Sequence, residues 1–255
     1  MSETNRLRPL PSVPAAADPR AGRVERPGVH YQQEHPDDHP PAHHGAVFLP
    51  YLGPGTSIRP RPFQPVITTT LIAADVVAFG QRHRDSDIQL HIRRRLYQAL
   101  GEAFAIGRLP WWDCHREDRG DGTLLVAPPD TPSHHFLDPF AHHLHAVLRR
   151  DNKLASPTAK LQIRLAVHTG QIMYDAYGVA GQPLVHLFRL LNADAFKRAL
   201  ADADADLGVI ISDRLYTDTL GHGGLTNPAA YRSLRVTAKE TQTTGWTWFP
   251  PSSRS

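Results

Sequence analysis

The sequence predicts an α+β fold with a ferredoxin-like βαββαβ centre, and three observations carry that prediction. A β-branched run at residues 66–72 has the length of a buried strand and stops at Asp75. From Ser86 the apolar residues Ile88, Ile92, Leu96, Leu100 and Phe104 recur at helical spacing, and Gly107 and Pro110 end the pattern. Residues 161–167 then alternate apolar and polar side chains as a half-buried strand does.

The elements between and after these complete the order. Residues 111–117 and 123–127 flank the turn residues Asp118 to Gly122 and read as a β-hairpin. A second helix is expected from about Asp138, with Phe140, Leu144, Val147 and Leu148 on one side. Thr169-Gly170 reads as a turn into Ile172-Met173-Tyr174, and a third helix carrying Leu184, Leu187, Leu190 and Leu191 follows Gly181. A short strand at 209–211, a short helix from Asp213 to Leu220 and a closing hairpin (231–238 with 243–249) end the pattern. The resulting sheet is covered by helices.

Composition limits what surrounds this domain. Of the 23 prolines in the 255 residues, 13 lie in positions 1–65 beside five histidines, so residues 1–60 are expected to form a disordered or extended arm. Residues 61–250 form the folded domain, and 251–255 a disordered tail. The arm's apolar patch, Val47 to Leu52, offers a contact either for the folded domain itself or for a protein partner. The one cysteine, Cys114, excludes a disulfide scaffold and suits a reducing, cytoplasmic setting. No run of 18 apolar residues argues for a membrane span. An excess of 28 Lys+Arg over 25 Asp+Glu is too small to argue for nucleic-acid binding, and Arg93-Arg94-Arg95 reads as a solvated helix face.

Two acids stand where a metal site would need them. Asp75 closes the first strand and Asp121 lies in the hairpin turn Glu117-Asp118-Arg119-Gly120-Asp121-Gly122. In a β-α-β-β unit the first strand and the hairpin are neighbours, so the carboxylates converge across 46 positions of sequence. Hard Mg²⁺ takes one or two carboxylates together with phosphate oxygens, which such a pair offers. The same residues also read as an ordinary Asp-Gly turn and a strand end.

In this order the residues resemble the catalytic domain of class III nucleotidyl cyclases, the adenylate and guanylate cyclase family, over roughly residues 66–250. The resemblance rests on Asp75-Val76-Val77-Ala78-Phe79, on Glu117 to Gly122, and on Ile163-Arg164-Leu165-Ala166-Val167-His168-Thr169-Gly170. It rests also on the helix from Gly181 to Leu190 and on Lys239 in the terminal hairpin. It implies that Asp75 and Asp121 hold two Mg²⁺ or Mn²⁺ ions. It implies further that Glu117 selects the base, that Arg189 contacts the reacting phosphate, and that Lys239 holds the β- and γ-phosphates. A carboxylate accepts from guanine N1–H and N2–H₂ but meets one donor group on adenine, which favours GTP over ATP.

The sequence also departs from the family pattern. Val185 stands where the family has an asparagine that positions the ribose, and Gly178 stands at the second base-contacting position. Gln182-Pro183 replace a polar pair, and Asp175 and His186 are the polar residues near enough in sequence to substitute. The resemblance therefore implies either a divergent cyclase, working as a head-to-tail homodimer with Asp75 and Asp121 from one chain facing Arg189 and Lys239 of the other, or a catalytically degenerate module that binds nucleotide or a partner in signalling.

Overall fold

The structure, a computed structural model, describes residues 65–250 apart from Thr226 and Lys239. The N-terminal arm, the tail and Lys239 lie outside the described residues. The expected βαββαβ order is present: β1 (Ile67–Val76), α1 (Ser86–Ile106), β2 (His115–Asp118), β3 (Gly122–Val126), α2 (Phe140–Asn152) and β4 (Ile163–Asp175). It continues through β5 (Gly178–Ala180), α3 (Gln182–Leu191), α4 (Asp194–Ala203), β6 (Leu207–Ser212), α5 (Asp213–Gly221), β7 (Arg232–Ala238) and β8 (Thr241–Trp248). The sheet order is β2-β3-β1-β4-β6-β8-β7, with β5 pairing β4 off this path. β1 pairs antiparallel with both β3 and β4, and β4 with β6 is parallel. Among the described residues no helix is long and apolar enough to cross a membrane.

Strand periodicity divides the core in two. Ile72, Ala74 and Val76 of β1 and Ile163, Leu165 and Val167 of β4 pack with α1 and α2 on one face. Leu71, Ala73 and Ala166 alternate to the opposite face, where Leu184, Leu187, Leu190 and Leu191 of α3 and Phe196 of α4 cover them. By the same alternation Asp75, Arg164, His168 and Gly170 belong to the α3 face. A buried cluster of Phe104, Phe136 and Phe140 anchors α1 and α2, with Phe104 and Phe140 centroids 4.8 Å apart in an edge-to-face contact.

Three sequence expectations are corrected. The Thr169-Gly170 turn does not exist, because β4 runs on to Asp175 and reverses only there into β5. Gly170 is required by packing: a Cβ on it would sit 2.4 Å from the Pro183 ring at the start of α3. The helix α4 was not expected, because Phe196 and Leu200 are its only large buried apolar residues. Finally, the first hairpin strand begins at His115 rather than at the tryptophans; Trp111 packs against the core while Trp112 is 82% exposed.

Candidate active site

The acid pair forms at the end of β1. Asp75 lies opposite Gly122 in the β1–β3 ladder, and the Val76 N–H donates to the Asp121 carbonyl at 2.9 Å, which fixes Asp121 beside Asp75. Gly122 permits this approach, since a Cβ there would lie 2.3 Å from the Ala74 carbonyl oxygen. The turn is closed by Arg119 N–H donating to the Gly122 carbonyl at 2.9 Å, with Gly120 at φ +84°. Asp75 is buried and Asp121 exposed.

A residue that sequence reasoning did not assign to the site completes this half. Arg164, opposite Asp75 in the β1–β4 ladder, donates from Nε to Oδ1 at 2.8 Å and from Nη2 to Oδ2 at 2.6 Å, a bidentate pair. Burial raises the Asp75 pKa; Arg164 pulls it down, the charge of Asp121 pushes it up again, and Lys197 of α4 exerts the smallest pull. Lys197 is itself paired with Asp194 at 3.9 Å. Two carboxylates thus face one contacting guanidinium, and the excess negative charge is of the kind a divalent cation offsets. The donor set, two carboxylates, fits a hard ion that draws its remaining ligands from phosphate and water. Among the described residues no group of three His, Cys, Asp or Glu side chains forms a metal site by itself.

The connection that follows β1 is pinned by another unforeseen arginine. Arg84 is buried and donates to the carbonyls of Val77 (2.9 Å), Lys160 (2.9 Å) and Thr158 (3.2 Å). Asp85 then caps α1 by accepting from the Ile88 N–H at 2.9 Å.

The second group of candidates lies around β2, β5 and α3. Glu117 lies on the α3 face of the edge strand β2, paired opposite Leu124. Its Oε1 is 3.0 Å from His115 Nε2 and its Oε2 accepts from Arg119 at 2.6 Å. Burial pushes the Glu117 carboxyl up, but His115, Arg119 and the Val179 N–H outweigh it and leave the pKa below the ordinary glutamate value. Glu117 is therefore ionised at neutral pH and purely an acceptor. Gly178, at φ +123°, abuts this carboxylate: a Cβ there would be 2.8 Å from Oε1. The Arg119 guanidinium lies 5.4 Å from the Phe188 ring centroid, which ties the hairpin to α3.

Arg189 stands on the last turn of α3 and pairs with Glu240 in the β7–β8 turn. Val185, one turn earlier, is 42% exposed. Of the two polar residues near enough to substitute for it, Asp175 accepts from the Tyr177 N–H at 2.8 Å within the β4–β5 turn, and His186 packs against His168 with ring centroids 4.8 Å apart. The structure thus brings Asp75 and Asp121 together, sets Glu117 against Gly178, and pairs Arg189 with Glu240, while Lys239 lies outside the described residues.

No family model matches the sequence, and no curated protein sequence matches it. Solved structures do. An adenylate/guanylate cyclase/hydrolase from Silicibacter pomeroyi is similar with a TM-score of 0.54 at 17% identity, over 74% of this chain and 99% of that one. The guanylyl cyclase Cya2 is similar with a TM-score of 0.51 at 13% identity, over 73% and 92%. A bacterial light-regulated adenylyl cyclase is similar with a TM-score of 0.52 at 10% identity, over 72% of this chain and 53% of its own. At these identities the likeness is one of fold, and the chain has the fold of the adenylate and guanylate cyclase catalytic domain.

Proposed function

We propose that this domain is a divergent nucleotidyl cyclase that converts a purine nucleoside triphosphate, GTP in preference to ATP, to a 3′,5′-cyclic nucleotide and pyrophosphate. The observation that carries the reading is the acid pair: Asp75 and Asp121 are set side by side by the β1–β3 register in a fold shared with cyclases. In this reading the two carboxylates hold two Mg²⁺ or Mn²⁺ ions, which supply activation of the ribose 3′-hydroxyl and neutralisation of the triphosphate. The 3′-oxygen bonds to the α-phosphorus as its proton leaves to solvent, and the bond to the β-phosphate oxygen breaks with release of pyrophosphate.

This chain's own groups supply the rest. In this reading the ionised Glu117 accepts from guanine N1–H and N2–H₂ at the acceptor site left open on Oε2 and in place of one of its three present partners, His115 and the Val179 N–H on Oε1 and Arg119 on Oε2. Arg189 meets the charge that develops as pyrophosphate departs, and Lys239, outside the described residues, holds the β- and γ-phosphates. A head-to-tail homodimer places Asp75 and Asp121 of one chain against Arg189 and Lys239 of its partner.

A second reading, a module that binds nucleotide or a partner without chemistry, is favoured by Val185: an exposed apolar side chain one turn before Arg189 donates no hydrogen bond to a ribose. Mass spectrometry after incubation with each of the four nucleoside triphosphates and Mn²⁺ separates the two. The enzyme reading predicts a cyclic purine nucleotide that disappears with Asp121→Ala; a folded, dimeric sample that forms no product with any nucleotide would leave the binding module.

A further inference from the structure

The helix α1 carries two stripes. Ile92, Leu96, Ala99 and Ala103 face the core, as an amphipathic period requires. Leu90, Arg93, Arg94 and Tyr97 recur at helical spacing along an outer flank, where they meet Arg116 and Asp118 of β2 around an open groove of about 560 Å³. Arg116 alternates with Glu117 on β2, so the groove opens on the sheet face opposite Glu117 and Asp75. It shares no residue with the acid pair or with the base-and-ribose half of the candidate active site.

The groove is basic and partly apolar. The three consecutive arginines of α1 separate here: Arg95 pairs with Asp151 away from the groove, Arg93 pairs with Asp118 at 2.5 Å, and Arg94 is exposed. The Tyr97 hydroxyl donates to the same Asp118 oxygen at 2.6 Å, and the Gly120 N–H donates to the other at 2.8 Å, so both oxygens of the groove's carboxylate are engaged. Among the described residues Arg94 and Arg116 have no carboxylate partner; Arg116 donates to the Trp111 carbonyl, and its guanidinium lies 4.9 Å and 5.4 Å from the ring centroids of Trp111 and Trp112. Trp112 and Leu90, both exposed, add apolar surface beside these charges.

We propose that this groove is a docking surface for a partner protein that presents an acidic segment bearing an aromatic side chain. Charge complementarity carries the commitment: three guanidiniums stand against one carboxylate whose oxygens are already engaged, which leaves Arg94 and Arg116 to meet the partner's acids. Tryptophan, tyrosine and arginine are the residue types that carry most of the binding energy at protein interfaces, and Trp112 offers a ring for the partner's aromatic side chain to pack on. A nucleic-acid strand fits less well, because it needs a track of basic residues with platforms for successive bases, whereas one indole, Trp112, stands exposed beside this groove.

The test titrates the full chain, free of metal and nucleotide, with the random copolymer poly(Glu,Tyr), and follows the indole ¹H–¹⁵N resonance of Trp112 together with the heat of binding. The expected result is a saturable shift of that resonance and an affinity that falls with added salt. Arg94→Glu and Trp112→Ala, both exposed changes that leave the fold intact, are each expected to weaken binding at least about tenfold. Polyglutamate, which lacks the aromatic ring, is expected to bind more weakly than the copolymer. No binding of the copolymer, full affinity in either variant, equal binding of polyglutamate, or tighter binding of oligodeoxythymidylate would each overturn the proposal. Because neither metal nor nucleotide enters the experiment, its outcome stands whether or not the cyclase reading holds.

Discussion

The two halves of the candidate site are built to different standards. The acid half sits on the inner strands β1, β3 and β4, where Asp75 is held by backbone register on both sides and by a bidentate arginine. The base-and-ribose half sits at the periphery, on the edge strand β2, the three-residue β5 and the exposed flank of α3. Its Glu117 is held by flexible surface partners, and two of its expected side chains are replaced by Gly178 and Val185. Strand register constrains a residue whatever its function, whereas an exposed helix position is constrained only by what it binds.

The largest effect that would break this comparison is catalytic. Asp121→Ala is expected to lower Mn²⁺-dependent cyclic nucleotide formation by at least about 10²–10³-fold with little change in melting temperature, because Asp121 is exposed. Retained activity would show that the acid pair is ornamental. Asp75→Ala is expected to lose activity as well and to destabilise the domain by about 2–3 kcal/mol, because it leaves the part-buried Arg164 guanidinium without its carboxylate. Chemical denaturation measures this, and Asp75→Ala combined with Arg164→Met is expected to recover most of the loss.

Smaller effects belong to the peripheral half. Gly178→Ala forces a Cβ onto the Glu117 carboxylate at positive φ and is expected to cost about 1–2 kcal/mol in the same assay. Glu117→Ala is expected to cost less than about 1 kcal/mol, its ion pair with Arg119 being largely solvated, while removing any preference for GTP. The two acids also differ in sign under acid. Glu117 has a lowered pKa, so the unfolded chain binds its proton first and the stability it contributes is lost as pH falls below about 4.5. Asp75 has a raised pKa, so its contribution declines as pH rises from about 3.8 through the folded value. Stability measured from pH 6 to pH 3 is therefore expected to fall less steeply in Glu117→Gln than in the parent, and not in Asp75→Asn.

How much of this was legible in the sequence follows the same division. The βαββαβ order and the meeting of Asp75 with Asp121 were readable, because β-branched runs and an Asp-Gly turn determine which strands are neighbours. The Arg164 pair was not, since an arginine inside an alternating strand reads as solvent-facing until the position opposite it, 89 residues away, is known. Gly170 looked like a turn because glycine signals flexibility in sequence, whereas here it makes room for Pro183 across the sheet face. The helix α4 offered too few apolar residues to show a period. His168 and Ser212 form a buried pair only because β4 and β6 run parallel, a pairing that no local pattern encodes.

The most direct test is one cyclase assay, with GTP and Mn²⁺, across the parent chain, Val185→Asn, Asp121→Ala and the double variant. Val185 is exposed, so asparagine restores a ribose donor without disturbing the core. If the acid half is intact and the ribose contact is the missing part, Val185→Asn raises turnover by up to about 10²-fold, and adding Asp121→Ala abolishes the gain. No product from Val185→Asn, or product that survives Asp121→Ala, would contradict the account.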